Sequence, residues 1–450
     1  MSHAVSMKLP SVLDRNTASD YFNGRPKCVR DGSDEMTTGN LPMLSGIKVM
    51  DMTQFVAGPT ASRILAELGA DVIKVELAPY GDRTRVQGVR PKLAPENAAP
   101  YSTYFFQHNH SKRGIALDFK NPRGRDILKR MIEKADVLVE NFSPGVMARA
   151  GFAYEELKRL NPRLVMCSIS FAGQTGTLSE KPGYDYIGQA YAGVTGMIGE
   201  ANGSPAMVTM AIGDVSTGVS AAMAIAVALF HRERTGEGQH VESTLLDTYF
   251  HMHEASIPRV SKLGEKYVQR RTGSQHPDGG PTGIFRCGDG RYITLTSLAH
   301  QWPQLVKALD MPELLEDARF ATASARRTNN DLLKDILEGW LASVGPREAC
   351  LEALEKQRIP VAPVLELNEV IELEHLKERG TVRFATDPLL GDFKVPGMPT
   401  RFSAWMPQSR LSAPRLGEHN AQVLQEFGLS DTEIAELHDA KIFVRDAALE

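Results

Sequence analysis

Asp214 lies in the run Met210-Ala211-Ile212-Gly213-Asp214-Val215-Ser216-Thr217-Gly218, between an apolar, strand-like stretch and a long apolar helix. A carboxylate at that place has two uses. As an N-cap it accepts amide hydrogens of the first helical turn and stabilises the helix by about 1 kcal/mol. As a nucleophile it attacks an electrophilic carbonyl in group transfer. Ser216 or Thr217 can cap equally well, which frees Asp214, and Gly213 lets the backbone approach a ligand closely. The local sequence leaves both uses open. Other chemistries lack their residues. Glu76 ends a strand as a ribose-binding acid does, but the preceding turn, Gln54-Phe55-Val56-Ala57-Gly58-Pro59, has one glycine where the dinucleotide fingerprint needs three. His108-Asn109-His110 has no nearby cysteine or acid and reads as a polar loop rather than a metal pair. No HExxH, paired CxxC, Walker A loop or GxSxG elbow is present, so no metal site is expected.

Stepping along the chain, residues 47–52 read as a strand, 60–68 as an amphipathic helix stopped by Gly69, and 70–76 as a second strand. A helix over 123–134, a strand over 137–140, a helix over 154–160 and a strand over 164–169 follow. Strand–helix–strand order predicts a parallel sheet, and so an α/β domain of doubly wound type. The helix after Asp214 is expected to run to about residue 231 and to be buried, with Gly218 and Ser220 permitting close approach. A polar turn over 232–238 and a strand over 240–245 come next. Beyond about residue 260 a Gly/Pro-rich passage, two alternating runs (283–287 and 291–295) and helices near 301–309, 331–342 and 346–357 predict a smaller α+β domain. From about residue 367 the chain is loop-rich and proline-rich, with a helical tail from Asn420.

Composition narrows the class. The 450 residues suit two domains or one domain with a large insertion, and 42% apolar with 24% charged residues is ordinary for a globular protein. A net charge of −4 with interspersed signs gives no basic field, so nucleic acid is not an expected partner. Cys28, Cys167, Cys287 and Cys350 are scattered, as in a reducing compartment. The first 43 residues hold no apolar leader core and read as an unperiodic arm, loose or dimer-embracing. The most apolar stretch, 221–230, is too short to span a membrane. The expectation is a cytoplasmic protein without a membrane partner.

Ordered motifs carry a resemblance. Gly46 to Asp51, Ala57-Gly58-Pro59, Leu68 to Glu76 and Gly81-Asp82-Arg83-Thr84-Arg85 are followed by Asn109 to Arg113, Leu117-Asp118 and Glu140 to Gly145. Then come Gly173 to Gly176, Gly183-Tyr184-Asp185, Gly213-Asp214, Thr235 to Gln239 and Leu416 to His419. In this order they resemble the CaiB/BaiF family, the class III CoA-transferases of formyl-CoA transferase type, over about 44–437. The resemblance implies a Rossmann-like large domain over 44–260 and 367–450, built from both ends of the chain, and a small domain over 261–366. It also implies an interlocked homodimer, with no tightly bound cofactor and coenzyme A thioesters as substrates. Asp214 matches the family's nucleophile, and Gly279 and Gly280 match a glycine-rich lid. Val56, Ala57, Arg85, Leu117, Asp118, Lys120, Asn141, Phe142, Ser143, Arg149, Tyr184 and Asp185 match positions that contact CoA. One position departs: Leu77 follows Glu76 where an arginine is common, which hands the nucleotide phosphates to Arg83 or Arg85. The implied reaction moves CoA from an acyl-CoA donor, with succinyl-CoA as the default, to a free carboxylic acid. Racemases of 2-methylacyl-CoA share the fold but pair the aspartate with a histidine where this chain has Tyr184, and a supporting glutamate corresponds to Ala299. An inactive CoA-binding homologue is the third alternative, and the intact Gly213-Asp214 pair speaks against it.

Overall fold

The structure is a computed structural model describing residues 42–92, 98–264, 267–277, 280–405 and 411–449. The expected N-terminal arm, apart from its last two residues, and Gly279 lie outside the described residues.

Six strands form one parallel sheet: β1 Lys48–Met52, β2 Asp71–Leu77, β3 Arg113–Leu117, β4 Val137–Glu140, β5 Val165–Ser170 and β6 His240–Thr244. Their order is β3-β2-β1-β4-β5-β6, the arrangement of a doubly wound dinucleotide-binding sheet. Alternation along β1 shows why both faces are covered. Met50 and Met52 join one core with Ile73, Val75, Ile115 and Leu117, while Val49 joins the other with Val72, Val137, Val139 and Val165. The first core takes in α3 Pro122–Glu133, which starts on an Asn121 cap with proline in its first turn, together with Val423, Phe427, Leu437 and Phe443 from the end of the chain. The second takes in α1 Ala57–Glu67 and the long helix that carries Asp214.

Several helices bound the site. They are α2 Thr103–Asn109, two short helices α4 Val146–Arg149 and α5 Tyr154–Leu160, α6 Asp185–Tyr191, α7 Ile212–Thr235 and α8 Leu245–His251. At Gly218 of α7 a Cβ would stand 2.6 Å from the Ala57 carbonyl oxygen and 2.7 Å from Thr60 Cβ, so glycine is what lets α7 lie against α1. Where the chain was expected to turn at 232–238, α7 continues to Thr235 and ends on Gly236 in the left-handed region (φ 79°). Its length and apolar make-up alone would suit a membrane span. One flank, however, packs on α1 and the sheet, and Arg232 is buried against Asp136 at 2.9 Å.

Farther along, β7 Thr282–Arg286, β8 Tyr292–Thr296 and β9 Val361–Pro363 make an antiparallel sheet over a third core that includes Phe285, Trp302, Leu337 and Leu354. Some features escaped the sequence pattern. β3 is short and ends in a turn, and the stretch read as a loop holds the antiparallel pair β10 Val382–Asp387 and β11 Gly391–Pro396. Residues 108–110 are not a polar loop. They end α2 and are buried, and burial together with the cations of Arg63 and Lys112 pushes His108 down to about 3, a neutral ring.

Candidate active site

The site is built where the strand order reverses. Successive crossovers leave β1 and β4 in opposite directions, which opens a crevice at their carboxyl ends. Gln54 and Phe55 leave β1, and Asn141 to Ser143 leave β4. The Asn141 side chain ties the two exits together. Its Oδ1 accepts the Gln54 N–H at 2.8 Å, and its Nδ2 donates to the Gln54 carbonyl at 2.7 Å. Phe55 then adopts φ 66°, a left-handed conformation unusual for a bulky residue. Strain of roughly 1–3 kcal/mol is held only where neighbours fix the backbone, and here the Asn141 clamp and the bond from Phe55 N–H to Asp82 Oδ1 (3.3 Å) do so. The result displays the Phe55 ring edge-on to Tyr184, centroids 6.0 Å apart.

Beneath this turn lies a buried ionic scaffold. Lys112 Nζ donates to Asp51 Oδ2 (2.8 Å), Ser62 Oγ (2.8 Å), Asn109 Oδ1 (2.9 Å) and the Pro59 carbonyl (3.1 Å). Lys74 Nζ pairs with Asp82 at 2.9 Å and donates to the Thr53 carbonyl at 3.0 Å. Burial alone would raise Asp51, but the Lys112 and Lys74 cations outweigh it and hold the carboxyl down at about 2.

Two adjoining cavities open on the crevice. One, of about 300 Å³, is lined among others by Phe55, Ala57, Asn141, Phe142, Ser143, Tyr184 and Asp214. The other, of about 480 Å³, shares Gln54 and Phe142 with it and adds Leu77, Tyr80, Arg83 and Phe119. The fold thus gathers Ala57, Asn141, Phe142, Ser143, Tyr184 and Asp214 from four separate parts of the sequence. The turn after β4 is steadied by Glu140, whose carboxylate accepts the Phe142 N–H at 2.8 Å. Burial, partly offset by hydrogen bonds, pushes that carboxyl up to about 7.

Other expected contacts lie elsewhere. Arg85 is 1% exposed, its guanidinium bonded to both oxygens of Glu76 (2.8 and 2.6 Å) and stacked on Phe105, and it lines neither cavity. Arg83, two residues away, is exposed and lines the larger cavity. Asp185 is 4% exposed and both its oxygens are engaged, away from either cavity. Val56 and Leu117 are buried and line neither cavity, whereas Lys120 and Arg149 are exposed outside the cavity linings. Asp118 caps its own turn, accepting the Lys120 N–H at 3.0 Å. Gly280 lines neither cavity, its carbonyl accepting from Arg326 Nε at 3.2 Å.

Asp214 is not preceded by a strand. It is the third residue of α7, and no side chain caps that helix locally. Its carboxyl is pushed up to about 7, first by burial and second by the negative charge of Asp185. The phenol of Tyr104 is raised by burial and then by the negative charge of Asp214. A half-buried, basic carboxylate at the mouth of an aromatic-lined cavity can attack a carbonyl or take a proton. Tyr104, and Tyr249, whose hydroxyl donates to Asp185 at 2.7 Å, were missed in the sequence because neither belongs to a recognisable motif. Among the described residues no cluster of three or more His, Cys, Asp or Glu side chains could hold a metal ion.

A family model described as CoA-transferase family III matches residues 44–420. The formyl-CoA:oxalate CoA-transferases of Escherichia coli O81 (strain ED1a) and Shigella sonnei (strain Ss046) are each 35% identical over 413 residues, spanning 87% of this chain and 97% of theirs. A CAIB/BAIF family protein from Brucella suis superposes with a TM-score of 0.73 at 33% identity, over 85% of this chain and 99% of that one. Rv3272 from Mycobacterium tuberculosis gives a TM-score of 0.73 at 27% identity, over 85% and 98% of the two chains.

Proposed function

The chain belongs to CoA-transferase family III and is a CoA-transferase; from that premise we propose that it moves CoA from an acyl-CoA donor to a free carboxylic acid through Asp214 as nucleophile. The observation that carries this reading is the Asp214 carboxylate at the wall of the 300 Å³ cavity, beside the clamped Asn141–Ser143 turn. An Asp214 oxygen attacks the donor thioester carbon, and the C–S bond breaks to give a mixed anhydride and CoA thiolate. The thiolate attacks the aspartyl carbonyl, releases the donor acid and leaves an aspartyl-CoA thioester. The acceptor carboxylate attacks that thioester, expelling thiolate and forming a second anhydride. Thiolate attack on the acceptor's acyl carbon then yields the new acyl-CoA and restores Asp214. A dry cavity protects both anhydrides from hydrolysis.

In the same proposal Ala57, Asn141, Phe142, Ser143 and Tyr184 line the path of the CoA arm. Arg83, with Lys120 and Arg149 as further exposed cations, replaces Arg85 at the phosphates. The small domain comprises 261–366. Succinyl-CoA is the first donor to try. The raised basicity of Asp214 also suits proton transfer, the racemase chemistry, but the racemases' partner histidine corresponds to Tyr184 of the Gly183-Tyr184-Asp185 motif, and tyrosine is a poor proton acceptor near neutral pH.

An interlocked homodimer is part of the reading. Val215, Val219, Met223, Val227 and Phe230 form one exposed apolar stripe along α7.

The test is covalent trapping. The protein is incubated with acyl-CoAs, quenched with hydroxylamine or borohydride, and mapped by mass spectrometry. Donor-dependent modification of Asp214 is expected, with loss of transfer in Asp214→Ala. Full transfer by that variant defeats the nucleophile assignment, and solvent deuterium entering the α-position without acyl transfer favours the racemase.

A further inference from the structure

The first amides of an α-helix have no partner within it, and a nearby carboxylate is the usual remedy. At α7 the N-cap is Ala211, which offers no side-chain acceptor. Asp214, already in the first turn, bonds none of these amides with its side chain among the described residues. The partner comes from 29 residues earlier in sequence: Asp185 Oδ2 accepts the Asp214 N–H at 2.8 Å. The other oxygen of Asp185 accepts from the Tyr249 hydroxyl at 2.7 Å, and that hydroxyl oxygen accepts the Gly213 N–H at 3.0 Å. Gln189 supports the phenol from behind. Its Nε2 donates to the Tyr249 oxygen at 3.4 Å, while its Oε1 accepts the Val208 N–H at 3.1 Å. Asp185 and Tyr249 are both almost fully buried. Gly213 fits because a Cβ there would lie 2.1 Å from the Tyr249 ring.

From this geometry we infer that Asp185, relayed by Tyr249, is the positioning residue of the nucleophile: it caps α7 in place of Asp214 and so leaves the Asp214 carboxylate unbonded and aimed into the cavity. The inference rests on Asp214 being the nucleophile. Two physical consequences follow. An anion at the start of a helix is favoured by the helix dipole, which offsets the burial of the Asp185 charge. A carboxylate that accepts no amide hydrogens keeps its basicity, and the nearby charge of Asp185 raises it further. The arrangement therefore exchanges a local cap for a remote one and frees the residue that does the chemistry.

Two conservative variants of the full chain, Asp185→Asn and Tyr249→Phe, test this against wild type. Both are expected to lower kcat about 10–100-fold, as small displacements of a reacting group do, with little change in KM for the acyl-CoA. Asp185→Asn should also move the acid limb of kcat/KM to lower pH, because it removes a negative charge beside Asp214. The phenols of Tyr249 on α8, which holds the Gly213 amide, and of Tyr104 on α2, which feels the Asp214 charge, are left in place in Asp185→Asn. Hydrogen exchange at the Gly213 and Asp214 amides should speed up in both variants. If the pH profile and those amides are unchanged, the inference is overturned. Should wild type show no donor-dependent modification at Asp214, the nucleophile reading fails by itself, and amide exchange still decides whether Asp185 and Tyr249 hold the start of this helix.

Discussion

With its carboxyl pushed up to about 7 by burial and by Asp185, Asp214 is roughly half ionised at neutral pH in the unliganded subunit. The attacking species is the carboxylate, so kcat/KM should rise with pH through about 7 and level off above it, which a pH–rate profile of the free enzyme reads directly. The same shift bears on stability. Below its ordinary value of 3.8 the group is neutral in both folded and unfolded chains. Between there and about 7 the unfolded chain ionises while the folded one keeps its proton, so stability is lost over that window. Asp214→Asn mimics the neutral form. It should abolish transfer yet stabilise the protein by ~2–4 kcal/mol at pH 8, and by much less at pH 4, in thermal or denaturant unfolding. Equal stability of the two proteins at pH 8 would show that the carboxylate is not so destabilised. Motif order pointed to Asp214, Asn141 and Tyr184 from the sequence. For Arg85 and Arg83 the sequence left the choice open, because it does not say that the Arg85 guanidinium closes on Glu76 and leaves Arg83 facing the cavity.

Among the elements, β1, α1 and α2 meet over charges rather than hydrocarbon alone. The Lys112–Asp51 pair at 2.8 Å is fully buried and further bonded to Ser62 and Asn109. Removing one partner strands the other charge, so Lys112→Met should destabilise the fold by about 3–5 kcal/mol at pH 7. Denaturant titration across pH checks this. Asp51 sits below its ordinary value, so its contribution is present above pH 3.8 and fades as pH falls through about 2; the deficit of the variant should shrink over the same interval. The strands of this layer were legible because β1, β2, β4 and β5 are apolar runs punctuated by helical periods. β10 and β11 were not, since prolines and exposed polar positions mask a pair held by its own ladder.

For the whole molecule, the exposed stripe on α7 sets the expectation. Met223 and Phe230 are 64% and 60% exposed on a helix whose opposite flank is core. A Met223→Glu, Phe230→Glu double variant should convert a dimer of 49.4 kDa subunits to monomers or aggregates in sedimentation analysis. An unchanged dimer would place the interface elsewhere.

The sequence by itself determined the strand–helix–strand order, the missing dinucleotide glycines and the family to which the ordered motifs belong. Those properties are local: they depend on periodicity, turn chemistry and short runs of residue types. Only the tertiary structure decided that Asp185 and Tyr249 cap the helix of Asp214, that Arg85 is an internal counter-ion, and that Phe55 is held in a strained turn. Each depends on side chains distant in sequence meeting at one point, and such distances and burials are fixed by packing, not by spacing along the chain.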